Sequence, residues 1–138
     1  SFRVAKRAYV ESPNIKSINK EIEIECSHDG YKHFFNNLIH SRNWKLSKNK
    51  LIISDTIYGK KTTAKARYII HPGIKISRIS KNKYKLILQN KEIVYFKSIF
   101  YAINVEQFFY APEFGKRKNT KCFSIDINNS KNAVEFSW

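Results

Sequence analysis

The chain has no methionine, only two cysteines and few acidic residues, with 11 Asp and Glu set against 26 Lys and Arg. That shortage of acid leaves a formal charge of +15, a field that attracts polyanions, and nucleic acid and acidic glycan both fit it. Much of the excess is Lys in company with Asn and Ile, a bias that an AT-rich genome also produces, so background composition is the competing source of the charge. No apolar run approaches the roughly 20 residues that cross a bilayer, which predicts no membrane partner. With Met absent, Ser1-Phe-Arg-Val-Ala-Lys-Arg-Ala-Tyr-Val10 opens directly in strand-like chain, as expected of a piece of a longer protein with any export signal upstream.

Other absences narrow the chemistry. Helical periodicity is nearly missing, which excludes helix bundles. No glycine-rich phosphate loop, G-x-S-x-G elbow or aromatic RNA-binding pattern is visible. His28, His33, His40 and His71 lack the H-x-H or H-E-x-x-H spacing of metal sites, so neither a metal nor a cofactor is expected. Cys26 and Cys122 lie almost a domain apart; they either bridge the first and last sheets or stay as two free core thiols, the favoured reading.

What is present reads as β-structure in 138 residues, the size of one domain. Short runs rich in Ile, Val, Tyr and Phe recur about every eight to twelve positions between Asn, Lys, Ser and Gly. The pattern predicts an all-β fold, an antiparallel β-sandwich of about eleven short strands in two packed sheets. Strands are expected at 2–10, 21–26, 39–46, 50–58, 64–71, 74–77, 84–89, 93–97, 105–111, 121–127 and 133–136. Ser47-Lys-Asn-Lys50, Ser80-Lys-Asn-Lys83 and Leu88-Gln-Asn-Lys-Glu92 have hairpin chemistry, the last through an Asn able to take positive φ. Alternation is imperfect in Leu51–Tyr58, whereas Tyr84, Leu86 and Leu88 share one face.

The long loop after the second predicted strand is the least ordinary stretch. His28-Asp29-Gly30-Tyr31 sets an imidazole, a carboxylate and a phenol within four residues, and Gly30 permits the turn that makes them converge. Such a trio suits acid–base work; the plainer reading has Asp29 capping a turn, His28 bonded to it and Tyr31 packed on the sheet. Arg42 and Trp44 alternate on one strand and so share a face, where Arg42 offers a planar fork to carboxylate or sulfate or stacks on a ring. Lys60, Lys61, Lys65 and Arg67 flank one hairpin, and Lys116, Arg117 and Lys118 follow Phe114-Gly115; these cations either contact anionic groups or are simply solvated. Of Phe108, Phe109 and Tyr110, at least two are expected to build core.

The order of several landmarks resembles the C-terminal β-sandwich of heparinase II/III-like polysaccharide lyases. His28-Asp29-Gly30-Tyr31 looks like that family's H-x-G-Y loop, and Ile39 to Leu46, with Arg42 and Trp44, like its R-x-W strand. Asp55-Thr-Ile-Tyr-Gly59 looks like its D-x-(hydrophobic)-x-G turn, Tyr68 to Pro72 like its strand ending in a Pro turn, and Pro112-Glu-Phe-Gly115 like its P-E-F-G segment. Members of the family cleave acidic, uronate-containing polysaccharide by β-elimination. Their main catalytic Asn or His and Tyr lie in an N-terminal helical toroid, with further His residues early in the β region, and none of those positions can be matched here. The resemblance therefore implies a non-catalytic domain that supports the substrate cleft, partnered by acidic polysaccharide and by the toroid of the same parent chain. By the same analogy the parent is bacterial and periplasmic or envelope-associated. The alternative is an autonomous basic β-module that binds polyanions, nucleic acid included.

Overall fold

The computed structural model describes residues 7–32, 37–59 and 63–138. Every named strand pairing is antiparallel. The strands are β1 (Asn14–Ile18), β2 (Glu21–His28), β3 (Ile39–Ser47), β4 (Lys50–Tyr58), β5 (Ala64–Ile69) and β6 (Lys75–Ser80), followed by β7 (Lys83–Ile87), β8 (Ile93–Ser98), β9 (Asn104–Glu113), β10 (Lys116–Ile127) and β11 (Lys131–Ser137). They form an eight-stranded sheet ordered β1-β2-β3-β4-β11-β8-β7-β6 and a three-stranded sheet ordered β5-β10-β9. The expected two-sheet all-β sandwich is what the chain adopts. No helix among the described residues is long and apolar enough to cross a membrane.

Alternation explains how the sheets meet. Along β7, Tyr84 and Leu86 point inward and are buried, joined by Phe96 of β8 and Val134 of β11 from the same sheet and by Phe123 and Ile125 of β10 from the other. Phe96 is the hub of this core: its ring lies 4.9 Å from Phe123, 5.0 Å from Phe136 and 5.2 Å from Tyr68, so it touches both sheets at once. The last strand, β11, is inserted between β4 and β8 and closes the large sheet. Its partners bring Asn132 opposite Asp55 and Val134 opposite Ile53, which carries inward-facing rows across the sheet.

Several local expectations change. Residues 1–6 of the expected first strand lie outside the described residues; Arg7–Tyr9 are not in a strand, and Val10 makes a single bridge to His28. The real first strand is β1, which joins β2 through Asn19 and Lys20, both with positive φ (49° and 67°), as a two-residue primed hairpin requires. Near Leu88 the positive φ falls on Lys91, while Asn90 stays ordinary and accepts a bond from the Glu92 amide. Phe108, Phe109 and Tyr110 build none of the buried core: Phe109 is half exposed beneath Arg117, and Tyr110 meets His71. Gly30 has no positive φ; a Cβ there would lie 3.0 Å from the His28 ring and 3.1 Å from Ala8, so close approach rather than backbone conformation is what favours glycine.

Because Phe96 is wholly buried and Phe114 wholly exposed, truncating them separates packing from composition. Phe96→Ala is expected to cost about 3–5 kcal/mol, a large share of a typical stability of roughly 5–15 kcal/mol. Phe114→Ala is expected to stay within about 0.5 kcal/mol. Urea unfolding of both variants checks the assignment, and equal midpoints would contradict the core described above.

Candidate functional site

β3, β4 and β11 place polar residues where inward-facing apolar ones are expected. The pairings Cys26 with Arg42, Arg42 with Asp55, and Asp55 with Asn132 lay one row across the inner face of the large sheet, and His28 pairs with His40 in the next row. Asp55, at 3% exposure, is the centre of the cluster. Its Oδ1 accepts from His40 Nε2 at 2.8 Å and from Arg42 Nε at 2.7 Å, and its Oδ2 accepts from Asn132 Nδ2 at 3.3 Å. Asn132 Nδ2 also lies 3.2 Å from the Tyr68 hydroxyl, which comes from the opposite sheet. The Asn132 Oδ1 is buried without a partner among the described residues.

The imidazoles follow from this anchor by donor counting. The Gly30 amide donates to His28 Nδ1 at 3.1 Å, so the His28 proton sits on Nε2 and points to His40 Nδ1, 3.1 Å away. His40 then carries its proton on Nε2, facing Asp55. The result is a one-way chain from backbone amide to carboxylate through two neutral rings. Tyr31 packs beside it, tilted at 5.4 Å from the His28 ring and edge-on at 6.5 Å from His40.

The electrostatics agree. Burial by itself would raise the Asp55 carboxyl, but the hydrogen bonds from His40 and Arg42 outweigh it and hold the group below its ordinary value. Burial, then the Asp55 charge, pushes the Tyr68 phenol up to about 12. The His28 imidazole is depressed by burial first and by His40 second, Asp29 opposing.

The cluster opens on a cleft of about 470 Å³ between the sheets, lined by Tyr31, Leu38, His40, Arg42, Ile57 and the start of β5 among others. Of the residues singled out from sequence, the structure brings His28, Tyr31 and Arg42 together here. Trp44 is adjacent, its ring 5.9 Å from the Arg42 guanidinium, and it lines a separate apolar groove. Asp29 turns away from His28: its Oδ1 accepts the Tyr9 amide at 2.7 Å and its carbonyl accepts Lys32, a loop-pinning role. Lys60 and Lys61, with His33, lie outside the described residues. The Lys65 ammonium is held by Glu106 at 3.0 Å and Asp126 at 3.5 Å, and Arg67 faces Glu106 at 3.9 Å. Lys116, Arg117 and Lys118 lie on the β9–β10 hairpin outside the cleft lining, Lys116 bonded to Glu113 and Arg117 over the Phe109 ring at 3.9 Å.

Sequence reading missed four partners of the cluster, His40, Asp55, Asn132 and Tyr68, in this role. The signal for Asp55 was present: it takes an inward phase in the Leu51, Ile53, Asp55, Ile57 series of β4. Pairing of β7 with β8 also assembles a basic face that no single segment displays. Lys83 and Lys97 are direct cross-strand partners, Lys85 is on the same outer side of β7, and the Lys83 ammonium lies 4.8 Å over Tyr95. Both cysteines are free, Cys26 half buried and Cys122 buried, with burial raising the Cys122 thiol. Among the described residues no group of three or more His, Cys, Asp or Glu side chains is placed to hold a metal.

Two variants test the network. Asp55→Ala strands Arg42, His40 and Asn132 and is expected to cost on the order of 3 kcal/mol, read from urea unfolding. A depressed His28 means the folded chain favours the neutral ring, so its contribution is complete above the ordinary 6.5 and is lost as pH falls below it. Asp55, held below its ordinary 3.8, stays charged through that window. The urea midpoint is therefore expected to fall from pH 7 to pH 5, and less steeply in His28→Gln; parallel slopes would contradict the one-way chain.

With this geometry in place, likeness to known proteins becomes interpretable. A heparan sulfate lyase, HepC from Pedobacter heparinus, superposes with a TM-score of 0.72 at 12% identity, over 93% of this chain and 21% of that one. The heparinase III-BT4657 gene product superposes with a TM-score of 0.71 at 12% identity, over 94% of this chain and 20% of that one. At such identity the likeness is one of fold, and the chain spans about a fifth of the length of these proteins. No curated protein matches the sequence. The model of the family described as "Heparinase II/III-like, C-terminal" matches residues 1–138, the whole of the chain, so the protein belongs to the heparinase II/III-like C-terminal family.

Proposed function

We propose that this chain is the C-terminal, non-catalytic β-sandwich of a larger lyase that cleaves acidic, uronate-containing polysaccharide by β-elimination, and that it supports the substrate cleft. The observation that carries this reading is the family match across all 138 residues. β-Elimination needs a base to take the proton beside the uronate carboxylate and a donor or cation to neutralise that carboxylate. The polar cluster suits a supporting role better than that chemistry. His28 and His40 spend their ring nitrogens on each other, on Gly30 and on Asp55, and the phenol of Tyr68 is raised to about 12, far from a base at neutral pH. The charge of +15 supplies attraction for an acidic chain, and Lys83, Lys85 and Lys97 gather part of it on one outer face.

That same charge favours a second reading, a basic β-module that binds polyanions with no catalytic parent. Salt-sensitive binding is common to both. Tighter binding of a uronate polysaccharide than of single-stranded DNA at matched ionic strength supports the first; aromatic-dependent DNA binding supports the second.

The decisive assay incubates the 138-residue chain, and separately the longer product of its gene, with heparan sulfate and other uronate polysaccharides. Ultraviolet absorbance reports the unsaturated uronate that elimination leaves. No product is expected from the chain alone, and product is expected from the longer protein. Turnover by the chain alone would overturn the non-catalytic assignment.

A further inference from the structure

The outer face of the large sheet gathers cations where β7 meets β8. Tyr84, Leu86 and Phe96 fill inner positions of these strands, so Lys83, Lys85, Tyr95 and Lys97 take outer ones. Lys83 pairs directly with Lys97, and Lys85 with Tyr95. The second of these outer rows continues from Lys85 to Ser77 of β6 and from Tyr95 to Ser137 of β11. Strand geometry sets the Lys83 backbone roughly 5 Å from that of Lys97 and roughly 7 Å from that of Lys85. Three ammonium groups and two hydroxyls thus share one patch, in which Lys97 is exposed and Lys83 and Lys85 are half buried.

Two observations set this patch apart from ordinary surface lysine. Its cations are not neutralised. Among the described residues none of the three lysines is in an ion pair, and Glu135, the cross-strand partner of Lys97, is bound to Lys50 at 3.3 Å. Like charges set directly opposite each other destabilise a sheet, so the fold keeps this pairing at a cost. The second observation is order: the Lys83 ammonium lies 4.8 Å over the Tyr95 ring, which fixes a long side chain before any ligand arrives.

We propose that this face binds a linear acidic polysaccharide, with Lys83, Lys85 and Lys97 contacting carboxylate or sulfate groups on neighbouring sugar residues and Tyr95 positioning Lys83. The proposal rests on the reading of the chain as part of a lyase for such polysaccharide. A polymer fits because it repeats its negative groups at short intervals, as the ammonium groups repeat across β7 and β8. The Ser77 and Ser137 hydroxyls, able to donate and to accept, suit the hydroxyls of a sugar. Single-stranded nucleic acid fits less well. Its bases stack on free aromatic faces, and the one ring at the outer positions of β6, β7 and β8 lies under Lys83.

The test measures heparan sulfate binding to the 138-residue chain by titration calorimetry at several salt concentrations. The triple variant Lys83→Gln, Lys85→Gln, Lys97→Gln is expected to bind at least tenfold more weakly and with a smaller salt dependence. A control that removes the same charge from the exposed Lys16, Lys48 and Lys131 is expected to change affinity less than threefold. Tyr95→Leu is expected to weaken binding several-fold and Tyr95→Phe, which keeps the ring, to restore it. Urea unfolding without glycan shows that each variant is folded, and the triple variant, relieved of a like-charge pair, is expected to be no less stable. Equal losses in the triple variant and the control reduce the effect to net charge and overturn the proposal. Single-stranded DNA bound as tightly as heparan sulfate at matched ionic strength, and lost with the same three lysines, overturns the glycan as ligand. A dimer that the triple variant dissolves gives the face to a second copy and overturns it too. Hyaluronate, which carries carboxylates and no sulfates, separates the two sources: lysine-dependent binding of both glycans assigns the carboxylates, and of heparan sulfate alone the sulfates. Unsaturated uronate released by the longer protein reads the proposed function separately, so binding without elimination and elimination without lysine-dependent binding are told apart.

Discussion

A carboxylate nearly out of water governs the middle of this molecule. An isolated buried charge is costly, and Asp55 is tolerated because His40, Arg42 and Asn132 donate to it from the two neighbouring strands. Those donors fix register. A slip of one residue in β4 would turn Asp55 to the outer face and bring Thr56 inward, leaving Arg42 and His40 without an acceptor. The same acceptor settles both imidazole tautomers and, through Gly30, the conformation of the loop that follows β2. A buried ion pair is weak evidence for added stability; its stronger effect here is to exclude alternative strand alignments.

The cluster also bounds a continuous apolar surface. Phe96 pairs with Phe136, Phe136 with Leu51, Leu51 with Leu46 and Leu46 with Ile22, so the aromatic core and the apolar face of β2 and β3 lie on the same side of the polar row. A charged row at such a boundary has a physical logic: Arg42 keeps partial access to the cleft while its guanidinium is paired, and its stem and Trp44 ring cover apolar surface.

What the sequence made legible was whatever is decided locally. β4 was readable to the residue from its flanking turns, and β7 and β8 from alternation with Lys outside and Tyr, Leu or Phe inside. β1 was not, because all five of its residues are exposed and it is held by backbone pairing to β2 rather than by burial. The loop residues His28 and Tyr31 stood out by type, yet their partners come from registers no local window contains. By sequence His40 is one of four histidines without metal-site spacing, and Asp55 opens the Asp55–Gly59 turn. Asn132 lies 77 residues from the carboxylate it serves. The break in alternation at Asp55 was the one local trace of the cluster, and it reads as a flaw until β3 and β11 are laid beside it.

Net charge is the feature most easily over-read. The acidic residues are few but not scattered: Glu21, Glu23 and Glu25 share the outer face of β2, where Lys45 and Asn43 answer two of them. Glu106 and Asp126 take up Lys65 and Arg67 on the small sheet, and Glu135 takes up Lys50. Pairing of this kind removes much of the positive field from the clusters that look most basic in sequence. It leaves Lys83 opposite Lys97 across β7 and β8, a like-charge pairing that raises the energy of the folded chain unless an anion lies near. The strength of attraction to a polyanion is therefore a matter of which cations lack carboxylates, and topology, more than composition, decides that.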